Sequence, residues 1–374
     1  MSQGKEFFCV LKPIEPYFLG GERNFVFGER AKDKMDYYIT SEDSPQQSTV
    51  LGLVRYLMLS KGKLLSDAYY GSDQGRRKMA NDKNERIRGQ QEELIGAQGF
   101  CYEEPKPHQD YGKLYSLSPL FLVNAENHRM IRTPLNHVKG EATYRPFAMQ
   151  EGYATENGKE SILPVDFKTK DGLTDSFVDM DDENHKIIDR DTIFKCEEHT
   201  RIGRGEEEDG YFKMVYKHLS KDYAFGFYCQ AEAGTLPEAD IVYMGQGKSP
   251  FRFTAVETDG GRFEELRIKI RSLPGCDKAD VYYAASDVFM DISEEDSAKY
   301  AYTIIEKKLF RTLNRSSDTS CYRSSRKKSE LFQLVRAGSV FYLKQGAGDE
   351  LAEYLAQPGL QQVGFNYVVK LGGK

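Results

Sequence analysis

Apolar residues recur along the chain with two different periods, and the change from one to the other marks out its elements. Phe7 to Leu11 is a short continuous apolar run of buried-strand type, followed by a loop punctuated by Gly20, Gly21 and Gly28. The clearest helix comes next. Ser44-Pro45-Gln46-Gln47 offers a capping serine, a proline at the first helical position and a glutamine three residues on. Val50, Leu53, Val54, Leu57 and Met58 then return at helical spacing until Lys61-Gly62 ends the run. From about 62 to 190 no period is sustained, and prolines and charged clusters interrupt the pattern, so this stretch reads as an elaborated insertion. Strand signal returns at Ile193 with a hairpin over about 193–216 whose tip is Gly203 to Gly210. Tyr223, Phe225, Phe227 and Cys229 alternate strictly, and Ile241–Met244 and Phe251–Val256 add two further strands.

Asp259-Gly260-Gly261 is the best candidate boundary. Beyond it Arg267, Lys269 and Arg271 alternate with Leu266, Ile268 and Ile270, which reads as a strand with one basic, solvated face. A strand at Val281–Ala285 precedes a helix capped by Ser293-Glu294-Glu295-Asp296, with Ala298, Ala301, Tyr302, Ile305 and Leu309 on one face. Strands at Leu331–Val335 and Val340–Leu343, a helix near Asp349–Ala356 and a last strand with Val363, Phe365, Tyr367 and Val369 complete the order βαββαβ. That is the ferredoxin-like split arrangement. The first part repeats it around the insertion. The pattern predicts an α+β protein of two tandem ferredoxin-like (RRM-like) modules: residues 1–260, with the insertion (about 62–190) and a protruding β-hairpin, and residues 261–374.

Composition narrows the classes. The 374 residues are 39% hydrophobic and 29% charged, with 22 Phe and 24 Tyr, enough to build sizeable cores and too much for global disorder. No apolar run approaches the ~18 residues of a membrane span, and the first residues carry no export signal, so a cytoplasmic protein without a membrane partner is expected. Cys196 and Cys229 are the closest pair of cysteines in the sequence, and the histidines form no HxxxH or HxH pair. Neither a metal nor another cofactor is expected.

The net charge of -6 is spread unevenly. Asp171 to Asp209 holds fourteen acids against five bases, whereas Arg311 to Lys328 holds six bases and one acid, and Arg76 to Arg88 is a third, basic stretch. Such segments are ordinarily solvated loops; the basic ones are also candidates to touch phosphate. Gly245-Gln246-Gly247-Lys248-Ser249 ends like a phosphate-binding loop, but Pro250 and an alternating strand follow where that motif needs a helix, which argues against a nucleotidase. Lys221 to Tyr228 partly matches an RNA-recognition strand, with core packing the better reading. No nucleophile-base arrangement has informative spacing, so neither catalysis nor a small-molecule substrate is expected.

Four motifs, the first made of two segments, together carry a resemblance. Leu19-Gly20-Gly21-Glu22-Arg23 and Ser44 to Arg55 resemble the opening signature of RAMP-superfamily CRISPR proteins. His199-Thr200-Arg201-Ile202-Gly203-Arg204, followed by Gly210-Tyr211-Phe212, resembles their arginine hairpin. Gly245 to Lys248 resembles their glycine-basic loop, and Arg336 to Tyr342 is similar to a segment of the type III-B (Cmr) member that binds the 5′ tag of the CRISPR RNA. The resemblance implies a non-catalytic RNA-binding subunit. Its implied partners are the CRISPR RNA, the large polymerase-like subunit and the backbone RAMP subunits. Implied RNA-binding residues are Arg23, Gln47, Ser48, Thr49, Arg55, His199, Arg201, Arg204, Gly245, Gln246, Gly247, Lys248 and Arg252. A helix N-terminus at Gln46 to Thr49 supplies amides and hydroxyls for a phosphate, and arginines on a hairpin suit a single strand. Two alternatives stand beside it: a backbone subunit cutting target RNA with Asp33 or Asp36, and a protein-interaction scaffold that does not bind RNA.

Overall fold

The computed structural model describes residues 4–20, 23–26, 36–65, 82–96, 110–154, 160–164, 175–204, 209–245, 248–290, 300–310, 313–314, 327–328, 332–344, 346–355 and 358–373. The fold is mixed α+β, with mostly antiparallel sheets and few helices among these residues. The main sheet has 9 strands. They are β1 (Lys5–Pro13), β4 (Leu114–Leu117), β5 (Phe121–Asn124), β6 (Arg129–Arg132), β9 (Ser176–Asp179), β10 (Ile187–Asp189), β13 (Tyr223–Ala231), β14 (Ala239–Met244) and β15 (Ser249–Glu257). Their order is β10-β9-β6-β5-β13-β1-β15-β14, with β4 also paired to β13.

A second sheet, β11-β12-β3-β2, joins β2 (Arg23–Val26), β3 (Asp36–Thr40), β11 (Phe194–Arg204) and β12 (Asp209–Leu219). A third, β17-β22-β16-β23, joins β16 (Asp280–Ala284), β17 (Tyr300–Ile304), β22 (Val340–Leu343) and β23 (Val368–Lys370). Short pairs are β7 (Met149–Ala154) with β8 (Glu160–Pro164), β18 (Lys307–Phe310) with β21 (Phe332–Val335), and β19 (Leu313–Asn314) with β20 (Lys327–Lys328). Helices are α1 (Gln47–Lys61), α2 (Asp82–Ile95), α3 (Arg190–Ile193), α4 (Arg262–Arg271), α5 (Gly348–Leu355) and α6 (Pro358–Gln361).

α1 exists because its apolar stripe has a sheet to lie on. Val50, Val54, Leu57 and Met58 are buried with Phe7, Cys9 and Leu11 of β1, and with Phe225, Phe227 and Cys229 of β13 and Phe251, Phe253 and Ala255 of β15 on either side. The helix begins two residues later than the capping pattern predicts. Gln46, extended at φ -65 and ψ 146, is the N-cap, and no side chain caps it. Ser44 stays outside, as the proline after it favours extended backbone. β13 is buried along most of both faces, which explains its run of apolar and small residues: α1 covers one face, and Phe8, Phe121 and Tyr228 cluster on the other.

Three elements differ from the sequence pattern. The stretch between 114 and 189 is no appendage, since it supplies β4, β5, β6, β9 and β10 to the main sheet. These strands are short, and Phe121, Leu122 and Val123 are buried in succession, so no alternation betrays them. Residues 262–271 form α4, not a strand: Leu266 and Ile270, one helical turn apart, are buried, while Ile268 is exposed. Glu264 and Glu265 in its first turn and Lys269 and Arg271 in its last complement the helix dipole. Residues 300–304, read as helix from Ala301 and Tyr302, are strand β17, because pairing with β22 outweighs the four-residue spacing. Of the last predicted strand only Val368–Lys370 pairs; Val363 and Phe365 are buried from an irregular segment.

The hydrophobic cores run across Asp259-Gly260-Gly261. Phe310, Leu334, Leu360 and Phe365 share a core with α1, and Leu266, Ile270 and Tyr283 share another with Phe121 and Ile131. At one seam the fit is close: a Cβ on Gly364 would lie 2.3 Å from Nε2 of Gln47.

Candidate RNA interface

The structure gathers four of the segments that resemble the RAMP signature, and it does so through named bonds. Tyr17 and Lys217 exchange backbone hydrogen bonds of 2.8 and 3.0 Å, fixing the segment before Leu19 to the base of the β11–β12 hairpin. Leu19 N donates to Oγ of Ser41 (3.0 Å), Glu42 N to Gly20 O (2.8 Å), and Ser41 N to Val215 O (2.9 Å). Phe18 N donates to Oγ of Ser249 (3.1 Å). The glycine turn is held as tightly. Gly245 has φ +75, and a Cβ there would fall 2.0 Å from Phe18 O, so the left-handed backbone and the close approach both demand glycine. The lead-in to α1, the Leu19-Gly20 segment, the hairpin stem and the glycine turn therefore meet in one place.

Buried charge locks this junction. Lys217 is 2% exposed, on the inward face of β12 between Val215 and Leu219, where alternation calls for an apolar residue. Its Nζ lies 3.1 Å from Oδ1 of Asp43 and donates to Sγ of Cys196 at 3.4 Å. Arg190 grips both oxygens of Asp43, at 2.5 and 2.7 Å, and reaches Asp175 at 3.1 Å. Tyr17 OH donates to Asp43 O at 2.5 Å. Burial alone would raise the Asp43 carboxyl, but Arg190 and Lys217 outweigh it and hold the group below the usual carboxylate range.

Beside this knot lies a row of rings tilted against one another. The rings of His199 and Tyr216 are 4.6 Å apart, and Tyr216 lies 5.4 Å from Phe18. Nε2 of His199 sits 3.0 Å from Glu197. Lys248 is exposed at the glycine turn with φ 52. Ser48 is half-buried and Thr49 exposed in the first turn of α1, where Thr49 N donates to Gln46 O at 2.8 Å. Beside the lead-in to α1 lies a cavity of ≈ 120 Å³, lined among others by Asp43, Gln47, Arg132, Asp287 and Lys308.

Other sequence-predicted residues are placed elsewhere. Gln47 is buried and its Nε2 donates to Ser118 O at 2.8 Å, a bond that holds the sheet rather than a ligand. Arg55, two turns along α1, donates to Gly96 O at 3.2 Å. Arg252 is exposed on the face of the main sheet opposite α1. Arg23, Arg201, Arg204 and Asp36 lie on strands whose side chains fall outside the described residues, as do Gln246, Gly247 and Asp33 altogether. Tyr216, Phe18, Arg190 and Lys217 escaped the sequence reading; the signal for Lys217 was a lysine at an inward position of the alternating Val215, Lys217, Leu219.

An antiparallel α+β core that brings a glycine turn, a helix lead-in and the stem of an arginine-bearing hairpin to one junction has the makeup of a RAMP-superfamily CRISPR protein. Residues 9–370 match the family described as CRISPR-associated protein (Cas_Cmr3), and the chain belongs to that family. It is accordingly a Cmr subunit of a type III-B CRISPR effector, a ribonucleoprotein of antiviral defence. Two solved chains are similar in outline. One is from a cryo-EM structure of the Type III-B Cmr-beta bound to cognate target RNA and AMPPnP, with 10% identity, a TM-score of 0.43, and coverage of 96% of this chain and 95% of that one. The other, from Type III-B Cmr-beta bound to cognate target RNA, gives 10%, 0.44, and 96% of each chain. No curated protein matches. Among the described residues no helix is long and apolar enough to cross a membrane, and no three His, Cys, Asp or Glu are grouped to hold a metal ion.

Proposed function

We propose that this chain is the subunit that holds the 5′ tag of the CRISPR RNA, without chemistry of its own, against the large polymerase-like subunit and the neighbouring backbone subunits. The observation that carries this reading is the junction itself. Segments separated by up to 231 residues are joined there by short hydrogen bonds and a buried ion cluster, beside an exposed lysine and the half-buried rings of His199 and Tyr216. Phosphate contacts from the Lys248 turn and from Arg201 and Arg204 on the hairpin, with bases stacked on rings, suit a single strand. The fold supports the same reading. Both β5-β13-β1-β15 and β17-β22-β16-β23 place strands in the order second, third, first, fourth, which we read as two ferredoxin-like sheets, in residues 1–260 and 261–374.

The test is the salt dependence of RNA retention in the assembled complex. Arg201→Glu with Arg204→Glu should weaken retention and flatten the log–log salt slope by about 0.7 for each lost phosphate contact, with folding unchanged. An unaltered slope refutes the hairpin's part in RNA binding.

A further inference from the structure

The face of the main sheet turned away from α1 is covered over one half and bare over the other. Over β5, β13 and the adjoining part of β1 it carries Phe121, Tyr228 and Phe8, and Leu266 and Ile270 of α4 share their core. Beyond Phe8 the same face opens to solvent across β1, β15 and β14. Strand register gives its rows: Phe8 beside Val256; then Val10, Thr254, Ala239; then Lys12, Arg252, Ile241. Tyr243 pairs with Pro250, whose carbonyl accepts a hydrogen bond from Ile14 N at 3.1 Å. Val256, Ile241, Tyr243 and Ile14 are exposed by 64%, 56%, 66% and 53%, and make up half of the large hydrophobic residues exposed among the described residues.

Two features of this patch are costly in an isolated chain. It concentrates exposed apolar side chains, and it sets Lys12 and Arg252 directly opposite one another, with no carboxylate in any row. Nζ of Lys12 donates to Lys221 O at 2.7 Å, and no carboxylate pairs with it among the described residues. Three strands about 4.8 Å apart and four rows about 6.8 Å apart give roughly 400 Å². A standard protein interface takes about 800 Å² from each partner, so this face would supply about half of one side.

We propose that the bare face of β1, β15 and β14 docks a protein subunit whose contacting surface is apolar and carries a carboxylate opposite the Lys12–Arg252 pair. The side chains decide for protein over RNA. Val10, Ile14, Ile241 and Val256 are aliphatic and offer no π face to a base, and of the two aromatics in the rows only Tyr243 is exposed, since the half-buried ring of Phe8 packs on Phe121 and Tyr228. This inference stands on the sheet face and does not rest on the tag-binding reading.

The experiment uses the Cmr complex reconstituted from all of its subunits and CRISPR RNA. Tyr243 is replaced with the photo-crosslinker benzoylphenylalanine, and incorporation of Ile241→Glu and Arg252→Glu chains is measured against wild type. The adduct should contain one protein subunit, at a peptide bearing Asp or Glu. Each substitution should weaken incorporation at least tenfold with the melting temperature of the free chain unchanged, and reversing the crosslinked carboxylate to Lys should rescue Arg252→Glu. A crosslink to RNA, no crosslink, or wild-type incorporation of Ile241→Glu overturns the proposal. None of these outcomes depends on the hairpin arginines, so failure here is separable from failure of the RNA reading.

Discussion

Asp43 and Asp181 do the same electrical work in two different settings. Each carboxylate joins two cations from distant parts of the chain: Asp43 takes Arg190 and Lys217, and Asp181 takes Arg129 at 2.6 Å and Lys269 at 2.6 Å. Asp43 fixes the hairpin base to the lead-in of α1, while Asp181 fixes β6 to α4. The second cation differs. Lys217 is 2% exposed and Lys269 is 42% exposed at the side chain. In a buried cluster each member must be balanced because water cannot replace a lost partner, whereas at a wet one solvent takes over. The lesson is that position, more than bond length, sets what an ion pair is worth.

The sharpest way to break that comparison is Asp43→Ala. It strands Lys217 and Arg190 without their carboxylate and should cost about 3–5 kcal/mol in urea unfolding. A loss comparable to that of Asp181→Ala would show the two sites to be equivalent. The acid limb of stability comes next. Burial opposes ionisation at both carboxyls, but the paired cations hold each below its ordinary range. A folded value below the unfolded one, near 4, means that both contribute fully above that pH and lose their contribution as pH falls toward the folded values. Asp43→Asn and Asp181→Asn should therefore flatten the fall in stability below about pH 4; an unchanged slope would place the acid response elsewhere. Asp181→Ala should cost about 1–3 kcal/mol, since it removes charged hydrogen bonds at a partly open site, and Lys269→Met under about 1 kcal/mol. If Lys269→Met costs more than Asp181→Ala, the reading of that cluster as a solvent-tempered tether is wrong.

What the sequence disclosed follows the same physics. β1, α1, the hairpin and β13 to β15 were legible because each has a local period or a turn signature, and the RAMP-like segments were legible as motifs. β5 and β6 were not, because strands of four residues with consecutive buried positions leave no period to read. α4 was mistaken for a strand because its charges alternate with apolar residues; only burial of Leu266 and Ile270 reveals the turn of helix. The junction was half visible. Its backbone segments could be named, but the role of Lys217 depends on Asp43, 174 positions away, and no local pattern encodes that pairing.

The position of β1 in the main sheet bears on how the chain is made. Both of its neighbours arrive late: Lys5 pairs with Ala231 on one side and Phe7 with Glu257 on the other. At roughly 5 to 20 residues per second, the ribosome adds the partners of β1 on the order of 10 to 50 s after β1 itself. Throughout that interval the nascent chain carries a β-rich segment with both edges open and α1 without the sheet beneath it. Such a chain should lean on holdase chaperones during synthesis, and slowing its translation downstream of α1 should lengthen that dependence. Fragments ending before Tyr223 should be captured in inclusion bodies, because β1, an interior strand of the sheet, is the first made and waits for both of its neighbours.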